Sequence, residues 1–133
     1  MGRLVYPAAA RTADTAVLVT AEKRGDPHVL VVPTRHVPTI LELYEREAAV
    51  LFATVTRVAR AVALCYDVEG IAVWQNNGVS TYQSVPHVHV HVAATVPPRG
   101  TRSGPVDSTG LEQRQRIADR LAGALSEADR RGG

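Results

Sequence analysis

Apolar positions change their period several times along this chain, and each change marks an element. Residues 15–21 and 28–32 are short apolar runs rich in β-branched side chains, as strands are. The charged residues 22–27 between them include Gly25 and Pro27 and read as a turn, so the pair predicts an antiparallel hairpin. A shorter strand is expected around residues 3–6. From Ile40 to about Ala63, apolar residues recur at helical spacing through Leu41, Tyr44, Ala48, Leu51, Val55, Val58 and Val62. Pro33 ends the second strand, and Pro38 and Thr39 open this long helix. Residues 70–75 predict another strand, and Asn76, Asn77 and Gly78 a turn.

The next segment alternates with period two. His87, His89 and His91 are interleaved with Val88, Val90 and Val92. In a strand running to about Ala94, the histidines share one face and the valines face the core. Residues 97–105 are rich in Pro and Gly and predict a loop. Leu111 to about Ala128 is helical, with Ile117, Leu121, Ala124 and Leu125 on one face, and the last residues fray. The order is ββ, long helix, ββ, helix: an α+β fold with a mainly antiparallel sheet. The whole of residues 1–133 is expected to be one domain, with 96–133 forming its closing loop, helix and frayed tail.

Composition narrows the chemistry. A single cysteine, Cys65, excludes an internal disulfide and a multi-cysteine zinc site, and it reads as a packing residue. The net charge of +2 gives no argument for nucleic acid, and the arginine-rich C-terminal third reads as a solvated helix face. No apolar run approaches the roughly 20 residues of a bilayer span, and no secretory pattern opens the chain. A cytoplasmic protein without a membrane partner is expected.

Three imidazoles on one face can hold a metal or attack phosphorus. The first suits catalytic zinc, but no Asp or Glu lies within fifteen residues of the triad to orient the ligands. The second needs one neutral imidazole nitrogen free to attack while the other keeps its proton, which a backbone carbonyl can hold. Flanking histidines, with Asn76, Gln83 and Ser84 as neutral donors, can then stabilise the phosphoryl oxygens. Asn77 and Gly78 read as turn formers. His36 reads as a structural or surface residue, and Trp74 as core or dimer interface.

The segment from Gln83 through Ser84 and the triad to Val92 resembles the signature of the histidine-triad (HIT) superfamily of nucleotide hydrolases and transferases. Residues 28–36 are similar to the family's site-opening segment, and Asn76 matches its phosphate-site asparagine. The resemblance implies a HIT-like, dimeric fold and an enzyme acting on a nucleotide or nucleotide-like molecule with no cofactor. It implies His89 as nucleophile through a nucleotidyl-histidine intermediate, His87 at the leaving group, and His91 and His28 completing the cluster. Asn76, Gln83 and Ser84 would bind phosphate or the departing atom. Where family members carry a ribose-binding carboxylate, this chain has Thr20, and Tyr82 stands where a small residue is usual. The alternatives are a nucleotide-binding regulator with little turnover and a metal-dependent hydrolase using the three histidines as ligands.

Overall fold

A computed structural model describes residues 8–78, 86–95 and 109–130, the last with side chains through 126. Five strands form: β1 (Ala8–Arg11), β2 (Thr15–Val19), β3 (His28–Pro33), β4 (Ile71–Trp74) and β5 (Val90–Ala94). Two helices accompany them, α1 (Glu45–Cys65) and α2 (Leu111–Arg130). The strands lie in the order β1-β2-β3-β5-β4, and every neighbouring pair is antiparallel. The hairpin expected from residues 15–32 is the β2–β3 pair, with Val17 opposite Val31.

Alternation divides the sheet into two faces. Val17, Val19, Val29, Val31, Val90 and Val92 are buried in one cluster with Leu51, Val55, Val58 and Val62 of α1 and Ile117, Leu121 and Leu125 of α2. The other face carries His28, Leu30, His91, Ala93 and Trp74. A fully buried valine contributes about 1.5–3 kcal/mol. A one-residue slip of β5 would therefore put imidazoles into the core and valines outside, and the register is strongly fixed.

Several boundaries differ from the sequence reading. The strand expected at residues 3–6 lies outside the described residues, and β1 occupies Ala8–Arg11 instead. Its three consecutive alanines carry no strand signal. It forms by pairing with β2 across a bulge. Ladder pairing of the histidine segment begins only at Val90. Before it, the Val88 N–H donates to the Val37 carbonyl at 2.7 Å, and Val88 is still fully buried.

The long helix also starts later than expected. Ile40–Glu42 is a single 3₁₀ turn, capped by Thr39, whose hydroxyl accepts from the Leu41 N–H at 3.3 Å. Glu42 returns a carboxylate oxygen to the Thr39 N–H at 3.0 Å, completing a capping box. Leu41 and Tyr44 thus fall outside the helical phase and are exposed rather than core. By length and composition alone α1 is apolar enough to cross a membrane, contrary to the expectation that no stretch approaches that length. Its stripe of Leu51, Val55, Val58 and Val62 is packed on the sheet as a core helix would be.

Candidate active site

The histidines gather where β3 and β5 meet. Leu30 is opposite His91 and His28 opposite Ala93, so His28 and His91 are diagonal neighbours on one face. Both are buried. His28 Nε2 lies 2.9 Å from His91 Nδ1. The Arg24 backbone N–H donates to His28 Nδ1 at 3.3 Å. In the tautomer that the Arg24 bond favours, His28 carries its proton on Nε2 and donates it to His91 Nδ1, with the His91 proton on Nε2; a His28 Nδ1–H on the Glu22 carbonyl would reverse the relay.

Burial keeps both rings neutral. It pushes the His28 pKa down to about 4, opposed by a backbone hydrogen bond with Glu22 and aided by the nearby Arg24 charge. His91 is pushed down to about 3, by burial first and then by His28, His89 and Arg24. The Glu22 carboxylate is 4.0 Å from His91 Nδ1 and 3.1 Å from the Arg24 guanidinium.

His89 is only half-buried, and its Nδ1 lies 2.7 Å from the His87 carbonyl oxygen. The carbonyl can only accept, so Nδ1 carries a proton, and in the neutral ring Nε2 keeps the unshared pair. His87 donates from Nε2 to the Pro33 carbonyl at 2.9 Å and sets Nδ1 3.3 Å from His36 Nδ1. His36 is exposed, as its structural or surface reading expected, and it also adjoins the triad through this contact. The Arg35 guanidinium grips both Glu47 carboxylate oxygens, at 2.6 and 2.7 Å, anchoring the segment that carries His36.

The β2–β3 loop is held close by a glycine. A Cβ on Gly25 would stand 2.3 Å from the Ala94 carbonyl oxygen and 2.7 Å from Ala93 Cβ. Only glycine permits that approach. On either side, the Asp26 N–H donates to the Ala94 carbonyl at 3.1 Å, and the Ala94 N–H to the Pro27 carbonyl at 3.0 Å. This seating places the Arg24 amide beside His28.

The other predicted site residues divide. Asn76 is half-buried in a turn built by its neighbours. Gln75 and Asn77 exchange amide hydrogen bonds at 2.8 and 2.6 Å, and Asn77 Oδ1 also accepts from the Ile40 N–H at 2.7 Å. Gly78 has a φ of 95°, so Asn77 and Gly78 are turn formers as read. Thr20 is buried, and its hydroxyl accepts the Glu22 N–H at 3.2 Å. Gln83, Ser84 and Tyr82 lie outside the described residues. Cys65 packs with Sγ 3.7 Å from the Arg120 carbonyl. Trp74, read as core or dimer interface, is half-buried and stacks on His91.

The histidines do not converge as a three-ligand metal site would require. Among the described residues the donors near enough to share an ion are Glu22, His28 and His91, all within 4.8 Å. An ion there would have to displace the His28–His91 hydrogen bond and the Arg24 guanidinium, so the arrangement fits a hydrogen-bond relay better than a metal centre.

An open antiparallel sheet backed by two helices is a fold that this chain shares with a class of solved structures. Examples are a Hit-like protein from Bartonella henselae (TM-score 0.82, 20% identity, covering 91% of this chain and 88% of that one) and a histidine triad nucleotide-binding protein from Sulfolobus tokodaii (TM-score 0.82, 20% identity, 93% and 86%). The HIT domain model matches residues 9–97, and the chain belongs to the HIT family. Curated relatives include the asymmetrical bis(5'-nucleosyl)-tetraphosphatase of Schizosaccharomyces pombe, 34% identical over 62% of this chain and 45% of that protein. The adenosine 5'-monophosphoramidase hnt1 of the same organism is 35% identical over 49% of this chain and 46% of that protein. The matched segment thus spans less than half the length of either.

Proposed function

We propose that the protein is a nucleotide hydrolase or nucleotidyltransferase acting at phosphorus through His89. The observation that carries this is the 2.7 Å bond from His89 Nδ1–H to the His87 carbonyl, which makes Nε2 the nitrogen with the unshared pair in the neutral form of a half-buried ring. In the first step an Nε2–P bond forms and the bond from phosphorus to the leaving group breaks, the leaving group keeping the electron pair. In the second, water or another acceptor attacks phosphorus and Nε2 recovers its pair. His91, with its proton on Nε2, donates to the oxygens that gain charge. His87 is assigned to the leaving group, and Asn76, Gln83, Ser84 and Thr20 to substrate binding. Relatives named as a tetraphosphatase, a bis(5'-adenosyl)-triphosphatase and a monophosphoramidase support nucleoside polyphosphates and phosphoramidates as the substrate class.

The test is His89→Ala against a panel of nucleoside phosphoramidates, adenylyl sulfates and dinucleoside polyphosphates. The variant should fold yet lose at least about three orders of magnitude of rate, as loss of a covalent nucleophile does. The unaltered protein, quenched during turnover with labelled substrate, should retain label in an acid-labile, base-stable form. More than a tenth of the original turnover in the variant would remove His89 from the role. Ligand binding without turnover or label would point to a nucleotide-binding regulator.

A homodimer belongs to the same reading. β4 is an edge strand with Val73 47% exposed, and Leu41, Tyr44, Phe52 and Leu64 are also exposed. An unpaired strand edge and this much apolar surface favour cover by a second copy.

A further inference from the structure

The β4–β5 register puts Trp74 directly opposite His91. Their rings are parallel, 4.6 Å apart at an interplanar angle of 6°. The same indole lies 5.3 Å from the His28 ring at 47°, and His89 meets the His91 ring edge-on at 5.0 Å and 64°. His91 is thus held at one nitrogen by the 2.9 Å bond from His28 and on one face by indole.

One hydrogen bond leaves an imidazole free to pivot, because its outer torsion has a broad well. A flat partner fixes the ring plane as well. Together the two restraints hold His91 Nδ1 against His28 Nε2 with the ring plane fixed. We infer that Trp74 is a positioning residue: its stack holds His91 in the plane in which Nδ1 accepts from His28 and Nε2 stays protonated. The inference rests on the phosphorus reading, in which the Nε2 proton meets a phosphoryl oxygen. Trp74 acts through His91, so it affects the chemical step rather than binding.

Trp74→Phe keeps a flat ring, and Trp74→Leu keeps apolar bulk without one. Phe should hold kcat within about twofold, and Leu should lower it about tenfold with KM little changed, the scale of one aromatic pair acting in the transition state. Nitrogen NMR of the imidazoles at neutral pH should show a single His91 tautomer in the unaltered chain and in Phe, and a mixture in Leu. In the unaltered chain, the indole ring current should move the carbon-bound protons of His91 upfield. Ordinary shifts for those protons would overturn the stack whatever the variants do. Equal kcat in Leu and Phe, or one tautomer in both, would overturn the positioning role, as would a Phe variant as impaired as Leu. The NMR readings need no turnover. If His89 cannot be labelled, the phosphorus reading fails while the stack is still judged on its own.

Discussion

The triad's three imidazoles differ in what each can do. Sequence alternation placed His87, His89 and His91 on one side and Val88, Val90 and Val92 in the core, and all three valines are fully buried. It could not reveal the approach of Glu22, the Trp74 stack or the His36 contact, because each depends on cross-strand register or loop path rather than on spacing along the chain. The buried pair has a consequence for stability. His28 and His91 have folded pKa values near 4 and 3, below the ordinary 6.5, so the unfolded chain binds more protons than the folded one in between. Stability is then full above pH 6.5 and is lost as pH falls toward 4 and 3. Glu47, held near 2 by Arg35, and Glu42, lowered by its bond with Thr39, act only below the usual carboxylate value of 4.5. Urea unfolding at pH 7 and pH 5 should therefore differ by about 2–4 kcal/mol from the two histidines. His28→Asn should flatten that dependence. A profile level from 7 to 5 in the unaltered protein would show that the pair takes up protons in the folded state as it does in the unfolded one.

At the scale of elements, the β2–β3 loop matters more than its charged, turn-like sequence suggested. Its turn was legible from Gly25 and Pro27, but its seating on Ala93 and Ala94 was not, since nothing in the loop names the strand it will meet. The seating makes Gly25 a test of the relay. Gly25→Ala forces the loop off the strand and should cost about 1–3 kcal/mol of stability, as overpacking does. It should also disorder the His28 tautomer, because the Arg24 amide moves with the loop. Chemical denaturation with imidazole NMR measures both, and a variant as stable as the parent with His28 unchanged would mean that the contact relaxes freely. The 3₁₀ turn shows a similar limit of sequence reading. Thr39 correctly marked a helix start, yet the helix proper waits for Glu45, where Glu47 reaches back to the Tyr44 N–H at 3.0 Å.

For the whole molecule, periodicity alone gave the α+β class and the antiparallel pairing of neighbours in sequence. The strand order was not readable, because β5 pairs with both β3 and β4 while β1, a run of alanines, joins the far edge. The surface left open on β4 and α1 leads to a prediction at this scale. Sedimentation at micromolar concentration should give twice the 14.3 kDa chain mass. Val73→Lys, placing a charge on the exposed edge strand, should shift the population toward monomer while leaving the fold intact. A single 14.3 kDa species for the unaltered protein would dismiss the dimer.

The donor at the head of the relay, the Arg24 N–H on His28 Nδ1, belongs to the main chain. Nineteen of the twenty encoded residues supply that same group, so heritable variation at this position can alter charge and bulk while the imidazole orientation behind it persists. Proline alone removes the hydrogen. Arg24→Ala should keep a single His28 tautomer and Arg24→Pro should lose it, and imidazole NMR of the two separates them. The protein thus entrusts the orientation of its histidine face to a group that almost no point mutation can delete, leaving the adjoining side chains open to drift.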